Sequence, residues 1–396
     1  MTSELVKPKP STMSKNLFLL FFLPFIFGHC THPAENNGST LSVCEGPYLS
    51  DNQIQDQISK VDFLVIDTTQ ALLSNITKII VDDDLSIVFP GKMEQGILIV
   101  NSEGKINGKI NYLGGGPGEY KDITDFTYNF KTHEIILLDI VTKSVYAYDL
   151  KGKFKWQKKI NMQATQLITD DEFYYFYTHR RPFEIGQKTR IVVMNSDFKV
   201  VNSYFPNSEK QGSKANANNV FSRNGESQIL FSNRFVDTTY HITDKECKTY
   251  WLYQITNELP SKYLANLELY NANFRNYSFI QGEFFISGDW ICMSTAQKAR
   301  PMDYYYNQKS LASFSTTLTQ LSTKIHLQSP IYSDKDWFYY SLIPGWIDQS
   351  KEQWIVFLHK FGREDLVKYF DGEILNYNPV IVKIKFKDML NLTGND

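Results

Sequence analysis

From about residue 58 the chain alternates short apolar runs with clusters of turn residues, a pattern that predicts strands rather than helices. The stretch "HEIILLDIVTKSVYAYDLKGKFKWQKKI" (133–160) divides into three strands, Ile135 to Asp139, Val145 to Tyr148 and Phe154 to Ile160. Tight turns at Val141 to Lys143 and at "DLKG" join them. A 3.6-residue period is not sustained, and only "KYLANLELYNANFRN" (262–276) reads as helical, in the manner of a surface insertion.

The same unit recurs upstream in "DLSIVFPGKMEQGILIVNSEGKINGKI" (84–110) and downstream in segments 172–205 and 227–253. The last turn of each unit starts at Asn101, Asp149, Asn195 and Thr243, which gives steps of 48, 46 and 48 residues. That period predicts an all-β propeller of four-stranded antiparallel blades. A lone blade is a small sheet with two apolar faces open to water, and radial packing covers both. Residues 58–392 supply six blades more comfortably than seven, because the long stretch 255–320 holds an insertion. Pairing "KVDFLVID" (60–67) with "NPVIVKIKF" (378–386) in one blade would lock the ring shut.

The N-terminus changes the picture of where such a body resides. "MSKNLFLLFFLPFIFGHC" from Met13 is one lysine, an apolar run too short to span a bilayer, and a cysteine. It predicts an export signal over residues 1–29, started at Met1 or Met13, with Cys30 as the lipidated first residue of a bacterial lipoprotein. Phe27 and His29 depart from the usual lipidation box, and without lipidation at Cys30 the protein would be secreted. Residues 30–57 are polar and rich in Gly, Asn and Ser, and read as a flexible, lipid-anchored tether. Cys30, Cys44, Cys247 and Cys292 match no zinc, haem or disulfide spacing, and Cys292 in "DWICMST" reads as a small buried hydrophobe.

Composition narrows the partners. Of the 396 residues 42% are hydrophobic, and the 15% aromatic share favours strands. Net charge is −2, so nucleic acid is excluded as a partner class and the membrane is reached through the N-terminal lipid only.

"GGGPGEY" (114–120), preceded by "NSEGKINGKINYLG" and followed by "ITDFTYNFKTHEIILLD", resembles the six-bladed propeller lipoproteins common in gut-type Gram-negative bacteria, related in fold to NHL and TolB-like propellers. "FVDTTYHI" and "NPVIVKIKF" resemble later landmarks of that family. The likeness spans roughly residues 55–390, is strongest over 60–160 and blurs between 255 and 340. It implies the propeller fold and an outer-membrane or periplasmic address, and implies neither an activity nor a ligand.

Candidate chemistry is sparse. Gly114, Gly115, Gly116 and Gly118 meet neither the phosphate-loop nor the dinucleotide spacing. Pro117 and Gly118 suit the centre of a type II turn, with Glu119 accepting nearby amides. The other reading of this segment has Glu119 and Tyr120 lining a binding mouth. His179, Arg180 and Arg181 in "THRRPF" form a candidate grip for a carboxylate or sulfate. Tyr304 and Tyr305 in "RPMDYYYN" and Trp337 in "DKDWFYY" are candidate stacking platforms for sugar rings, against the plainer expectation that they pack between blades. Asp237 reads as a turn acceptor. No catalytic residue is identified and no cofactor is expected. The preferred reading is a non-catalytic envelope protein that grips a glycan, peptide or envelope protein through its top-face loops. The alternative is a hydrolase or lyase with a calcium-assisted site at the channel mouth.

Overall fold

The computed structural model describes residues 39–43, 49, 51–91, 96–178, 189–206, 219–225, 228–264, 266–298, 300–317, 329–343, 345, 350–371 and 378–388. All of them lie in the compact unit Glu35–Asp396. Strands β1 (Ser39–Val43) and β2 (Ile58–Val65) precede the first complete blade. Blade 1 is β3 (Lys78–Asp82), β4 (Leu85–Phe89), β5 (Ile97–Asn101) and β6 (Ile106–Ile110). Blade 2 is β7 (Asp125–Asn129), β8 (Glu134–Asp139), β9 (Ser144–Tyr148) and β10 (Phe154–Lys159). Blade 3 is β11 (Gln166–Thr169), β12 (Tyr174–Tyr177), β13 (Thr189–Met194) and β14 (Val200–Pro206). Blade 4 is β15 (Phe221–Asn224), β16 (Gln228–Phe231), β17 (Thr238–Ile242) and β18 (Cys247–Ile255). Blade 5 is β19 (Ser278–Ser287), β20 (Trp290–Gln297), β21 (Arg300–Asn307) and β22 (Ser313–Thr317). Blade 6 joins both ends of the chain: β23 (Tyr332–Ser333), β24 (Phe338–Leu342) and β25 (Val380–Phe386) are completed by β2 on the outside.

Strand β8 shows why such blades must pack in a ring. All six residues of "EIILLD" are buried, and successive side chains point to opposite faces. Ile135 and Leu137 join the core against blade 1, with Ile97 and Ile99, while Ile136 and Leu138 join the core against blade 3, with Leu167 and Val192. Strand β12 repeats the device, sending Tyr174 and Phe176 one way and Tyr175 and Tyr177 the other. Each fully buried Ile or Leu contributes about 1.5–3 kcal/mol, so a blade stripped of either neighbour loses several such terms at once.

The ring closes as the two terminal apolar runs predict. Strand β2 runs antiparallel to β25, with Val61 opposite Ile384 and Phe63 opposite Val382. The turn repeat is also a repeat in geometry. The side-chain oxygen of Asn101 accepts the amides of Glu103 and Lys105, that of Asp149 those of Lys151 and Lys153, and that of Asn195 those of Asp197 and Lys199. Thr243 does the same through its hydroxyl. Asn307 performs this role in blade 5.

Two parts of the chain differ from the sequence expectation. Within residues 30–57, read as a flexible tether, β1 lies parallel to β18 as a fifth strand of blade 4 and a helix spans Asp51–Gln57. The outer edge of β18 offers unpaired backbone groups, and β1 satisfies them. Helices Lys351–Lys360 and Glu364–Asp371 fall between β24 and β25, where no helix is expected from the pattern. Trp354, Phe357, Leu358 and Leu366 sink into the core of blade 6 beside Phe63. The helical reading of 262–276 agrees with helices Ser261–Leu264 and Leu267–Asn273 and a 3-10 turn at Phe274–Asn276.

Candidate functional site

The connections between strands divide sharply by face. Within each blade the strands alternate in direction, so first-to-second and third-to-fourth connections share one face. Second-to-third connections, and those that lead to the next blade, share the other. On the first face every connection is two to five residues long. On the second, seven connections reach eleven residues or more, the longest being 256–277 and 343–379. Long connections on a rigid scaffold are where binding surfaces are built, and here they all crowd one side.

That loop face is ordered by its own hydrogen bonds. The buried Asn378 donates to the carbonyls of Ile66 and Ala71 at 3.2 and 2.8 Å and accepts the Leu73 amide at 2.7 Å, pinning the β2–β3 connection. Lys121 donates its amide to Asp139 Oδ2 at 2.7 Å, which ties the β6–β7 connection to the β8–β9 turn. Large apolar side chains nonetheless stand in solvent on this face. Leu72 is 73% exposed and Val141 62%, and Leu113 and Leu269 are exposed as well.

The glycine cluster lies in the β6–β7 connection, against Tyr148 and Phe154 of blade 2, and is a turn. The Glu119 amide donates to Gly116 O at 3.1 Å, and Gly118 has φ +77°, so Pro117 and Gly118 occupy the centre of a type II turn. Glu119 Oε2 folds back to accept the Gly116 amide at 2.7 Å. A Cβ on Gly118 would stand 2.6 Å from the Phe154 ring, and one on Gly114 would stand 1.9 Å from the Glu119 carboxylate. Tyr120 is fully buried in the seam between blades 1 and 2, and burial pushes its hydroxyl up to about 12. It therefore lines no mouth, and Glu119 is engaged in the turn.

The axis of the ring is a narrow channel lined from all six inner strands, β3, β7, β11, β15, β19 and β23. At the loop-face end Lys78 Nζ meets Asp125 Oδ1 at 2.7 Å, and Asp125 Oδ2 accepts the Leu167 amide at 2.7 Å. At the other end Arg223 Nη2 meets Asp171 Oδ2 at 2.6 Å, lies over the Phe130 ring at 4.4 Å, and donates to Thr169 O. Starts meet starts and ends meet ends, so the inner strands run in one direction. Beside this second end the Tyr128 hydroxyl donates to Asp82 at 2.7 Å and lies 2.8 Å from His133 Nδ1. Burial and the Asp82 carboxylate push the Tyr128 hydroxyl far above its ordinary value. The channel has room for a few water molecules. Each of the two cations described there, Lys78 and Arg223, is paired with a carboxylate.

The remaining sequence candidates are dispersed. Tyr304 and Tyr305 are buried in β21, in the cores on either side of blade 5, and the Tyr305 hydroxyl meets that of Tyr340 at 2.9 Å. Neither offers a stacking face. Trp337 lies on the short-turn face, with Lys60 Nζ 5.3 Å and Lys383 Nζ 6.0 Å from its ring, so that face of the ring is taken by ammonium groups. His179, Arg180, Arg181 and Cys30 lie outside the described residues. Asp237 accepts the neighbouring Thr238 hydroxyl at 2.9 Å. Cys292 is buried, as its alternation predicts. Among the described residues no group of three or more His, Cys, Asp or Glu could hold a metal ion, and no helix is long and apolar enough to cross a membrane.

One buried carboxyl escaped the sequence reading. Asp303, in β21, accepts the Ser294 and Ser329 hydroxyls at 2.9 Å each, and Ser294 Oγ also lies 3.3 Å from Glu283 Oε2. Burial drives its proton affinity up to about 7, partly offset by the two serines and reinforced by Glu283.

Together these features define a six-bladed β-propeller with one elaborated face. The chain belongs to the family described as a domain of unknown function, DUF4934, whose model matches residues 45–390. Its backbone is similar to that of a Bacteroides fragilis protein described as exported, with TM-score 0.72 and 13% identity over 88% of this chain and 100% of that one. A DUF4221 family member from Bacteroides vulgatus gives TM-score 0.48 and 10% identity over 83% of this chain and 97% of that one. No curated protein matches the sequence.

Proposed function

We propose that the protein is a cell-envelope propeller, exported and held by a lipid on Cys30, that recognises a protein partner through its loop face without performing chemistry. The observation that carries this reading is the placement of the large apolar side chains exposed on the described surface. Four of the ten, Leu72, Leu113, Val141 and Leu269, stand on loop-face connections, whereas Tyr112 stacks on Tyr148 and Val356 lies on the helix whose Lys360 reaches Asp56, both towards the short-turn ends of their blades. Exposed apolar area gathered on one face of a soluble body marks a contact surface. The short-turn face, by contrast, spends its polar side chains on capping its own turns, as Asp149, Asn195 and Asp334 do. The channel has room for only a few waters, and the long connections of the loop face offer the larger surface. The exported B. fragilis propeller and the apolar leader before Cys30 support the envelope address.

Site-specific photocrosslinking in living cells tests the reading. A photoreactive residue at Leu72, Leu113 or Val141 is expected to capture one discrete envelope protein, and the same residue at Val200 or Leu311 on the short-turn face is expected to capture none. Equal capture from both faces, or none from the loop face, refutes it.

A further inference from the structure

The outer edge of blade 2 concentrates positive charge. Residues 151–159, "KGKFKWQKK", cover the last turn and strand β10 with five lysines and no acidic residue, and all five lysines are exposed. Elsewhere on the rim charges offset one another: Asp197 stands beside Lys199 in blade 3, and Asp244 and Glu246 beside Lys245 and Lys248 in blade 4. Lysine guards free strand edges against mispairing, yet the outer strands β14, "VVNSYFP", and β22, "SFSTT", have none. Blade 2 therefore carries more charge than edge protection asks of its neighbours.

The strip is narrow and long. From Lys153 to Lys159 the strand covers about 20 Å. Asp149, the acid next before it, uses its Oδ1 to accept the amides of Lys151 and Lys153, and Lys155 Nζ meets Glu134 Oε1 at 3.0 Å. Lys158 pairs with Val145, which faces blade 3, so alternation turns it to that side and Lys159 to the blade 1 side. Beside the short-turn end lies an aromatic step. Tyr112, 43% exposed, stacks one ring face on Tyr148 at 5.8 Å, and Phe154, between Lys153 and Lys155, meets the same Tyr148 ring in a T-shaped contact at 5.8 Å.

We propose that this edge binds a linear acidic polysaccharide, its carboxylates following the lysines along β10 and one sugar ring packed on the open face of Tyr112. A line of ammonium groups one strand wide matches a chain of regularly spaced charges, whereas a membrane plane calls for charge spread over a flat face. Addition of an acidic peptide as a further strand is opposed by the bulge between Phe154 and Trp156, which breaks the backbone ladder. The apolar C–H face of a pyranose suits a flat aromatic ring, and ammonium groups act as point charges that tolerate varied carboxylate geometry. The inference concerns the rim of blade 2 and not the loop face, so either reading can fail alone.

A fluorescently labelled oligomer of galacturonic acid is the probe, its anisotropy titrated with the full chain at low and at physiological ionic strength. Binding is expected to be about tenfold tighter than to a neutral glucan of the same length, and to weaken as salt rises. The double variant Lys158→Gln, Lys159→Gln is expected to weaken it about tenfold with the melting temperature unchanged, and Tyr112→Ala about fivefold. No preference over the neutral glucan, or either variant binding as the wild type does, overturns the proposal. So does equal or tighter retention of poly-L-glutamate or of phosphatidylglycerol vesicles, which would assign the strip to an acidic peptide or to a membrane.

Discussion

Replacing Asp303 by Asn probes the buried carboxyl of blade 5 with almost no change in shape. An aspartate carboxyl ordinarily loses its proton near 3.8, and in the folded chain Asp303 keeps it to about 7. The unfolded chain therefore releases this proton first, and folding above pH 4 must either restore it or bury a charge. Stability from this group is fullest below pH 4 and falls as pH rises towards 7. With 1.36 kcal/mol for each pH unit, the whole cost reaches about 4 kcal/mol above pH 8. Between pH 5 and pH 8 the wild type should lose about 2–3 kcal/mol relative to Asp303→Asn, whose side chain carries no charge and whose Oδ1 still accepts from Ser294 and Ser329. Equilibrium urea unfolding of both proteins at the two pH values, followed by tryptophan fluorescence, measures that difference directly. Other titrating groups cancel between them. A gap between wild type and variant that stays constant from pH 5 to pH 8 would refute the reasoning.

Further outcomes follow from other parts of the ring. Gly118→Val places a β-branched side chain at φ +77° and 2.6 Å from Phe154, and should lower stability by about 2 kcal/mol or more, read as a fall in melting temperature. Asp149→Ala removes the acceptor of two turn amides in blade 2 and should cost about 1 kcal/mol, while Lys151→Ala beside it should be nearly silent. Val61→Pro removes an amide from the middle of β2, where it pairs with β25. Circular dichroism should then show a broadened transition at lower temperature, because the ring is no longer sealed. Deleting residues 39–43 removes β1 alone and should leave cooperative unfolding intact, since blade 4 keeps its own four strands.

Much of the architecture was legible because propeller blades repeat a local physical solution. The Asn101, Asp149, Asn195 and Thr243 turns carry the period in residue types chosen for capping, and the structure uses each of them for that purpose. The fifth turn at Asn307 was hidden by the insertion at 256–277, which breaks the spacing. Helix Lys351–Lys360 was missed because "QWIVFLHK" is rich in β-branched and aromatic residues. Its signal lies in the spacing of Trp354, Phe357, Leu358 and Phe361, which returns to one helical face. The candidate site was far less readable. Aromatic pairs such as Tyr304 and Tyr305 look alike on a sugar platform and in an inter-blade core, and only burial separates the two. Lys78, Asp125, Asp171 and Arg223 come to the axis from four different blades, a convergence that one-dimensional spacing does not encode.

The seam in blade 6 also sets the timetable of assembly. Strand β2 precedes the five contiguous blades and β25 follows them, so a nascent chain can build those five in turn yet must keep β2 waiting. A chain interrupted before Val380 has no means of finishing the circle, and it exposes the flanks of two blades together with a bare strand edge. Closure of the ring is thereby written into the shape, and chaperones or proteases that patrol for sticky arcs receive an unambiguous sign that β25 is missing.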